Sequence, residues 1–250
     1  MQEKDAKVFY QIQFDMMKEI LQDQMTVTKN DVQQVFEQVG KDFTSVLELG
    51  SGVGHFAHQL AEHNKSVTAI ELVPELVHFA REHTSPNIRY LCDSFYTVDL
   101  QEKFDLVMYI DGFGLGKDAD QVALLKRIAA WMTSDGSALI DIYNPYYWQK
   151  VAGQKMTPFG DDSVERIYEY DFANDRMIDR WWYSDNPNER YTQSLACYDP
   201  DKIFHLCEEA GLKIIGYFPG GAMDYEQWEY IEQTSLTDCF SYRIKVIKKA

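Results

Sequence analysis

The chain has 250 residues, enough for one α/β domain with an insertion or a small lid, and its 45% hydrophobic and 26% charged content is that of a globular protein. A formal net charge of -16 leaves no basic face for nucleic-acid phosphates, because the only concentrated lysine cluster is Lys245, Lys248 and Lys249. The cysteines Cys92, Cys197, Cys207 and Cys239 form no C-x-x-C pair and have no histidine at ligand spacing, which argues against zinc; with no signal peptide and no long apolar run, the expectation is a cytoplasmic protein that keeps clear of membranes.

Val8 to Leu21 carries apolar residues at helical spacing and Asp31 to Val39 repeats the pattern, so residues 1–39 are expected to form one or two cap helices. The next stretch, Val46-Leu47-Glu48-Leu49-Gly50-Ser51-Gly52-Val53-Gly54-His55-Phe56, joins a buried strand, a glycine-rich turn and a helix start. Glycines at such a handover let the backbone turn sharply and let a ligand approach main-chain N–H groups. A dinucleotide fingerprint, G-x-G-x-x-G, would put its third glycine where His55 stands. The glycines fall instead at 50, 52 and 54, and Glu48 ahead of them would repel phosphate and welcome a cation. His55, His58 and His63 share the following helix and are expected to be solvent-exposed rather than metal ligands.

Ser66 to Leu72 reads as a second buried strand ending in an acid, and Glu71 stands at about the 20-residue spacing expected of a carboxylate on ribose hydroxyls. Pro74 opens a helix at its first position, and a third strand runs into Asp93, Ser94 and Phe95. Phe104 to Ile110 is a fourth strand, and the loop Asp111-Gly112-Phe113-Gly114-Leu115-Gly116 after it should border a ligand site, since parallel sheets bind ligands beyond the carboxyl ends of their strands. A helix from about Ala119 to Met132, a turn at Ser134-Asp135-Gly136 and a fifth strand from Ser137 to Tyr143 follow.

Residues 146–196 break the βα rhythm and are rich in aromatics, among them Tyr146, Trp148, Phe159, Tyr168, Trp181 and Tyr191. Val164 to Tyr170 and Arg176 to Tyr183 alternate like the arms of a hairpin turning at Ala173-Asn174-Asp175, an antiparallel insert suited to cover an active-site mouth; a structural lid and a subunit contact are its other readings. Pro200 starts a helix that Gly211 ends, and Leu212 to Phe218 and Ser241 to Ile247 close the chain as strands.

The pattern E-x-G-x-G-x-G at 48–54, with acids at Glu71 and Asp93, resembles the class I S-adenosylmethionine-dependent methyltransferases of small-molecule type. The resemblance is specific over about residues 40–145. It implies a Rossmann-like, doubly wound, mostly parallel seven-stranded α/β sheet, with residues 40–145 and 197–250 forming the core, 1–39 capping it and 146–196 acting as a substrate lid. It implies that S-adenosylmethionine is held by Glu48, Gly50, Ser51, Gly52, Gly54, Glu71, Leu72, Asp93, Ser94, Phe95, Ile110 and Asp111, with no metal. Tyr10 and Phe14 become candidates for the pocket wall. The expected reaction is in-line displacement onto an N, O, S or C nucleophile of a small molecule, with Asp111, Asn144 and Tyr146 as the candidate catalytic residues. A hydroxyl nucleophile would need a base, for which Asp111 and Asp141 stand nearest the strand ends. Asn144-Pro145-Tyr146-Tyr147 is similar to the N-P-P-Y signature of amino-methylating enzymes, but it lacks the second proline and follows the fifth strand rather than the fourth, so the match is read as coincidence. An NAD-type oxidoreductase and a non-catalytic cofactor-binding protein of the same fold are the alternatives; a monomer or homodimer without nucleic-acid partners is expected.

Overall fold

The structure is a computed structural model describing residues 3–23, 29–158 and 163–249; Phe159 and the side chains of Ile20 and Leu21 lie outside the described residues. Two helices, α1 (Glu3–Asp23) and α2 (Lys29–Val39), lead into β1 (Ser45–Leu49), α3 (His55–Glu62), β2 (Ser66–Glu71), α4 (Pro74–His83), β3 (Arg89–Cys92), β4 (Phe104–Tyr109), α5 (Asp118–Trp131) and β5 (Met132–Tyr143). Val46, Leu47 and Leu49 of β1, and Leu106, Val107 and Met108 of β4, are fully buried, because helices cover both faces of the sheet and successive rather than alternate positions face a core.

The seven-stranded sheet has the order β10-β13-β5-β4-β1-β2-β3, where β10 is Leu212–Pro219 and β13 is Ser241–Lys248. The pairs β1–β2, β1–β4, β2–β3 and β4–β5 are parallel, and β13 inserts antiparallel between β5 and β10. From β1 the chain runs outward through β2 and β3, then returns to the other side of β1 as β4. The carboxyl ends of β1 and β4 thus flank the point where strand order reverses, the place where an open α/β sheet leaves a crevice.

Strand β5 starts earlier than its sequence suggests. Ser134-Asp135-Gly136 is absorbed within it as a bulge, for the register with β4 jumps from Phe104↔Met132 to Leu106↔Ser137. The tight pack of Gly136 against the Phe104 carbonyl, 2.9 Å from where a Cβ would sit, explains how the chain bends there without leaving the sheet.

After β5 come α6 (Pro145–Lys150) and a separate antiparallel sheet of β6 (Lys155–Met156), β7 (Val164–Asp171), β8 (Arg176–Tyr183) and β9 (Tyr191–Ala196), in that order. The hairpin expected from sequence is β7–β8, with Asp175 in the left-handed region at its turn (φ 50°); β9 is an added arm. Helix α7 (Pro200–Glu209) then starts with the Asp199 carboxylate accepting from Lys202 N at 2.7 Å. A short hairpin, β11 (Ala222–Asp224) and β12 (Glu229–Ile231), interrupts the run from β10 to β13. Among the described residues no helix is long and apolar enough to cross a membrane.

Candidate active site at the strand-order reversal

A cavity of about 1440 Å³ opens over the carboxyl ends of β1, β2 and β4. Its floor is the glycine loop; its walls come from α1 (Tyr10, Phe14), the loop after β3 (Ser94, Phe95), the loop after β4 and the β7–β8 turn (Ala173 to Arg176). Ligand pockets for one drug-sized molecule run to roughly 300–1,000 Å³, so this space is large enough for two reactants side by side.

The loop owes its shape to left-handed backbone at Gly50, Gly52 and Gly54 (φ 64°, 54° and 80°). At Gly54 a Cβ would lie 2.1 Å from the Tyr90 hydroxyl, so the helix start needs glycine to pack. At Gly52 nothing protein-borne lies within 4 Å of that position, and the residue lines the cavity; here the missing side chain leaves room for a ligand. Glu71 fixes this loop by accepting from Gly52 N and Val73 N, both at 2.9 Å.

Glu48 is 4% exposed, and its Oε2 has no hydrogen-bond partner in the structure. Burial, reinforced by the charge of Glu71, pushes its carboxyl up to about 8. Ser51 Oγ is likewise unpartnered. Unsatisfied buried polar atoms beside an empty-sided glycine loop mark a place built for a ligand with donor groups. The ammonium and ribose hydroxyls of S-adenosylmethionine are such donors, so Glu48, Ser51, Gly52 and Glu71 fit that cofactor. Phe95 packs tilted against Tyr109, ring centroids 5.1 Å apart, giving an aromatic wall suited to a purine.

Of the residues singled out by sequence, Glu48, Gly50, Ser51, Gly52, Glu71, Leu72, Ser94, Phe95, Ile110 and Asp111 line the cavity together. Gly54 supports it from behind. Asp93 is exposed outside it, its Oδ1 accepting from Ser94 N at 2.7 Å, which shapes the turn that presents Ser94 and Phe95. Asn144 and Tyr146 are not in the lining. Asn144 is fully buried as the N-cap of α6, accepting from Tyr146 N and donating to the carbonyls of Leu236 and Cys239, and Tyr146 is half-exposed. Asp141 is held by Arg243 through two hydrogen bonds of 2.6 and 3.1 Å and is not free to act as a base.

The expectation for the histidines changes as well. His58 Nδ1 accepts from Ser85 N, and His55 lines the cavity with its Nε2 unpartnered and its protonation made harder by burial. Helical spacing put the three histidines on a solvated face; only the reversal of strand order shows that the first turn of α3 points into the crevice. The β7–β8 turn is the other unforeseen wall. Arg176 anchors it, donating to the carbonyls of Gly116 (2.8 Å), Gly114 (3.1 Å) and Ser194 (2.7 Å).

Comparison with known proteins agrees with this geometry. A family model described as a methyltransferase domain matches residues 46–136. The cypemycin N-terminal methyltransferase of a Streptomyces species is 26% identical over 140 residues, 55% of this chain and 53% of that protein. The ribosomal RNA small subunit methyltransferase A of Macrococcus caseolyticus is 30% identical over 95 residues, 37% and 32% of the two chains. The chain thus aligns with about half the length of the first of these curated relatives and a third of the second. Among solved structures, the CcbJ methyltransferase of Streptomyces caelestis superposes with a TM-score of 0.70 at 16% identity, covering 88% of this chain and 89% of that one. The sugar N-methyltransferase KedS8 of a Streptoalloteichus species gives 0.65 at 15%, covering 95% and 93%; at these identities the likeness is one of fold. The glycine loop, the unpartnered Glu48 Oε2 and the strand reversal thus fall in one place, within the residues 46–136 that match a methyltransferase domain.

Proposed function

We propose that this protein transfers the methyl group of S-adenosylmethionine to a small-molecule acceptor bound in the same cavity. The observation that carries the reading is the shared space: the glycine loop, Glu71 and Phe95 on one side and the β7–β8 turn on the other line one cavity, leaving room for donor and acceptor to meet. The cofactor supplies an electrophilic methyl group on a sulfonium. The chain's own part is to position and to exclude water. Holding two reactants in attack geometry can lower a barrier by roughly 7–11 kcal/mol, and the aromatic walls at Phe95, Tyr96 and Tyr109 supply a dry setting for it.

The net charge of -16 supports a small acceptor over nucleic acid, although one aligned relative is named for ribosomal RNA. Four free cysteines fit a reducing, cytoplasmic setting. Isothermal titration with S-adenosylmethionine and with NAD tests the reading. Saturable S-adenosylmethionine binding with no NAD response is expected; the reverse would make the protein a dinucleotide enzyme.

A further inference from the structure

Resting on that reading, we propose that the acceptor is an amine that enters as its ammonium ion, and that Asp111 recognises the cation and takes its proton. Asp111 follows β4 at the strand-order reversal, lines the cavity and has its accessible surface there. Its backbone is in the left-handed region (φ 52°), which side-chain-bearing residues seldom adopt and functional sites often retain. The Tyr143 hydroxyl donates to its Oδ1, leaving Oδ2 for a ligand.

No lysine, arginine or histidine among the described residues forms an ion pair with Asp111. The cation whose field reaches it most strongly, Arg166 of β7, is already bound by Asp179 of β8 through hydrogen bonds of 2.8 and 2.7 Å. Facing Asp111 from the other elements are Tyr143 and Asp141 of β5 and Tyr10 of α1; Asp141 is neutralised by Arg243, and Tyr10 Oη accepts from Gln193. The carboxylate is therefore an uncompensated negative charge over the reaction space. On the proposed function Glu48 and Glu71 serve the cofactor's ammonium and ribose, and Asp111, grouped on sequence with the cofactor residues, is assigned to the acceptor instead.

Proton affinity selects nitrogen over oxygen. An alkylammonium loses its proton near pH 10 and an alcohol holds its proton far more tightly, while the enclosed setting of Asp111 shifts its carboxyl upward, toward the ammonium. The balance is direct. One proton moves from the ammonium to Asp111 Oδ2, freeing the nitrogen lone pair; the nitrogen–carbon bond forms as the carbon–sulfur bond breaks, with that bonding pair staying on sulfur. The product leaves as an N-methylammonium and Asp111 returns its proton to water.

The test uses matched probes, glucosamine against glucose and alanylalanine against its N-acetyl form, titrated into the whole protein loaded with S-adenosylhomocysteine and read by ligand-observed NMR. The amine of each pair is expected to bind wild type at least about ten-fold more tightly, and the preference to vanish in Asp111→Asn. Equal binding within pairs, no binding of any probe, or a preference that survives Asp111→Asn overturns the proposal. Loss of S-adenosylhomocysteine binding in a folded Asp111→Asn also overturns it, by assigning Asp111 to the cofactor. If wild type fails to bind S-adenosylhomocysteine at all, the methyl-transfer reading itself fails. For any amine that turns over, Asp111→Asn should lower kcat/KM by on the order of 10²-fold or more, as loss of a general base does.

Discussion

Glu48 carries a proton in the folded protein over a pH range where an unfolded chain has lost it. Its carboxyl sits near 8 against an ordinary 4.5, so folding binds more protons between those values and stability falls as pH rises through that window. Below pH 4.5 both states are protonated and the contribution is complete. Glu48→Gln should flatten this part of the thermal-unfolding profile of the cofactor-free protein. A bound ammonium favours the ionised form instead. S-adenosylmethionine binding at pH 7 should release a proton in wild type and not in Glu48→Gln, seen by calorimetry in buffers of different ionisation enthalpy. The neighbouring glycines separate folding from binding. Gly54→Ala drives a methyl into Tyr90 and Ala80 and should lower the unfolding midpoint, whereas Gly52→Ala meets no protein atom, costs about 1 kcal/mol of backbone strain and should chiefly weaken cofactor binding. These residues were legible because the motif that names them is contiguous. Asn144 looked chemical in sequence and is a helix cap: its amide oxygen accepts from Tyr146 N, and its amide nitrogen is spent on two carbonyls more than 90 residues away, which no local pattern reveals.

At the scale of elements, the antiparallel sheet over the site is pinned by a charged pair. Arg166 grips Asp179 in a fork, Trp181 Nε1 donates to the same carboxylate at 2.9 Å, and the guanidinium lies over the rings of Tyr168 and Trp181. Asp179 is 1% exposed. Asp179→Ala strands a largely enclosed guanidinium and should cost about 3 kcal/mol, read as a lower urea midpoint at unchanged slope. Alternation in Val164 to Tyr170 and Arg176 to Tyr183 made β7 and β8 readable, because a sheet with one covered face imposes a period of two. Nothing local signals β9 or the β11–β12 hairpin, which are too short or too polar to stand out from loop. The start of β5 was hidden for the opposite reason: Ser134-Asp135-Gly136 has the composition of a turn, and the pairing partner, β4, keeps it within the sheet.

For the whole molecule, the order of buried strands and helices was enough to read a doubly wound sheet, and the glycine loop enough to mark one side of its cavity. Which remote pieces close over that point was not readable, since α1 and the β7–β8 turn meet it only through tertiary packing. The result is one chamber assembled from residues as far apart as Tyr10 and Arg176, with no cysteine among the described residues that line it. On the proposed function donor and acceptor share that chamber, and none of the described residues that line it is a thiol able to carry the methyl in two hops. A methyl group made chiral with the three hydrogen isotopes should therefore reach the acceptor with its handedness inverted, the signature of a single backside displacement; retained handedness would demand a methylated enzyme and a second passage.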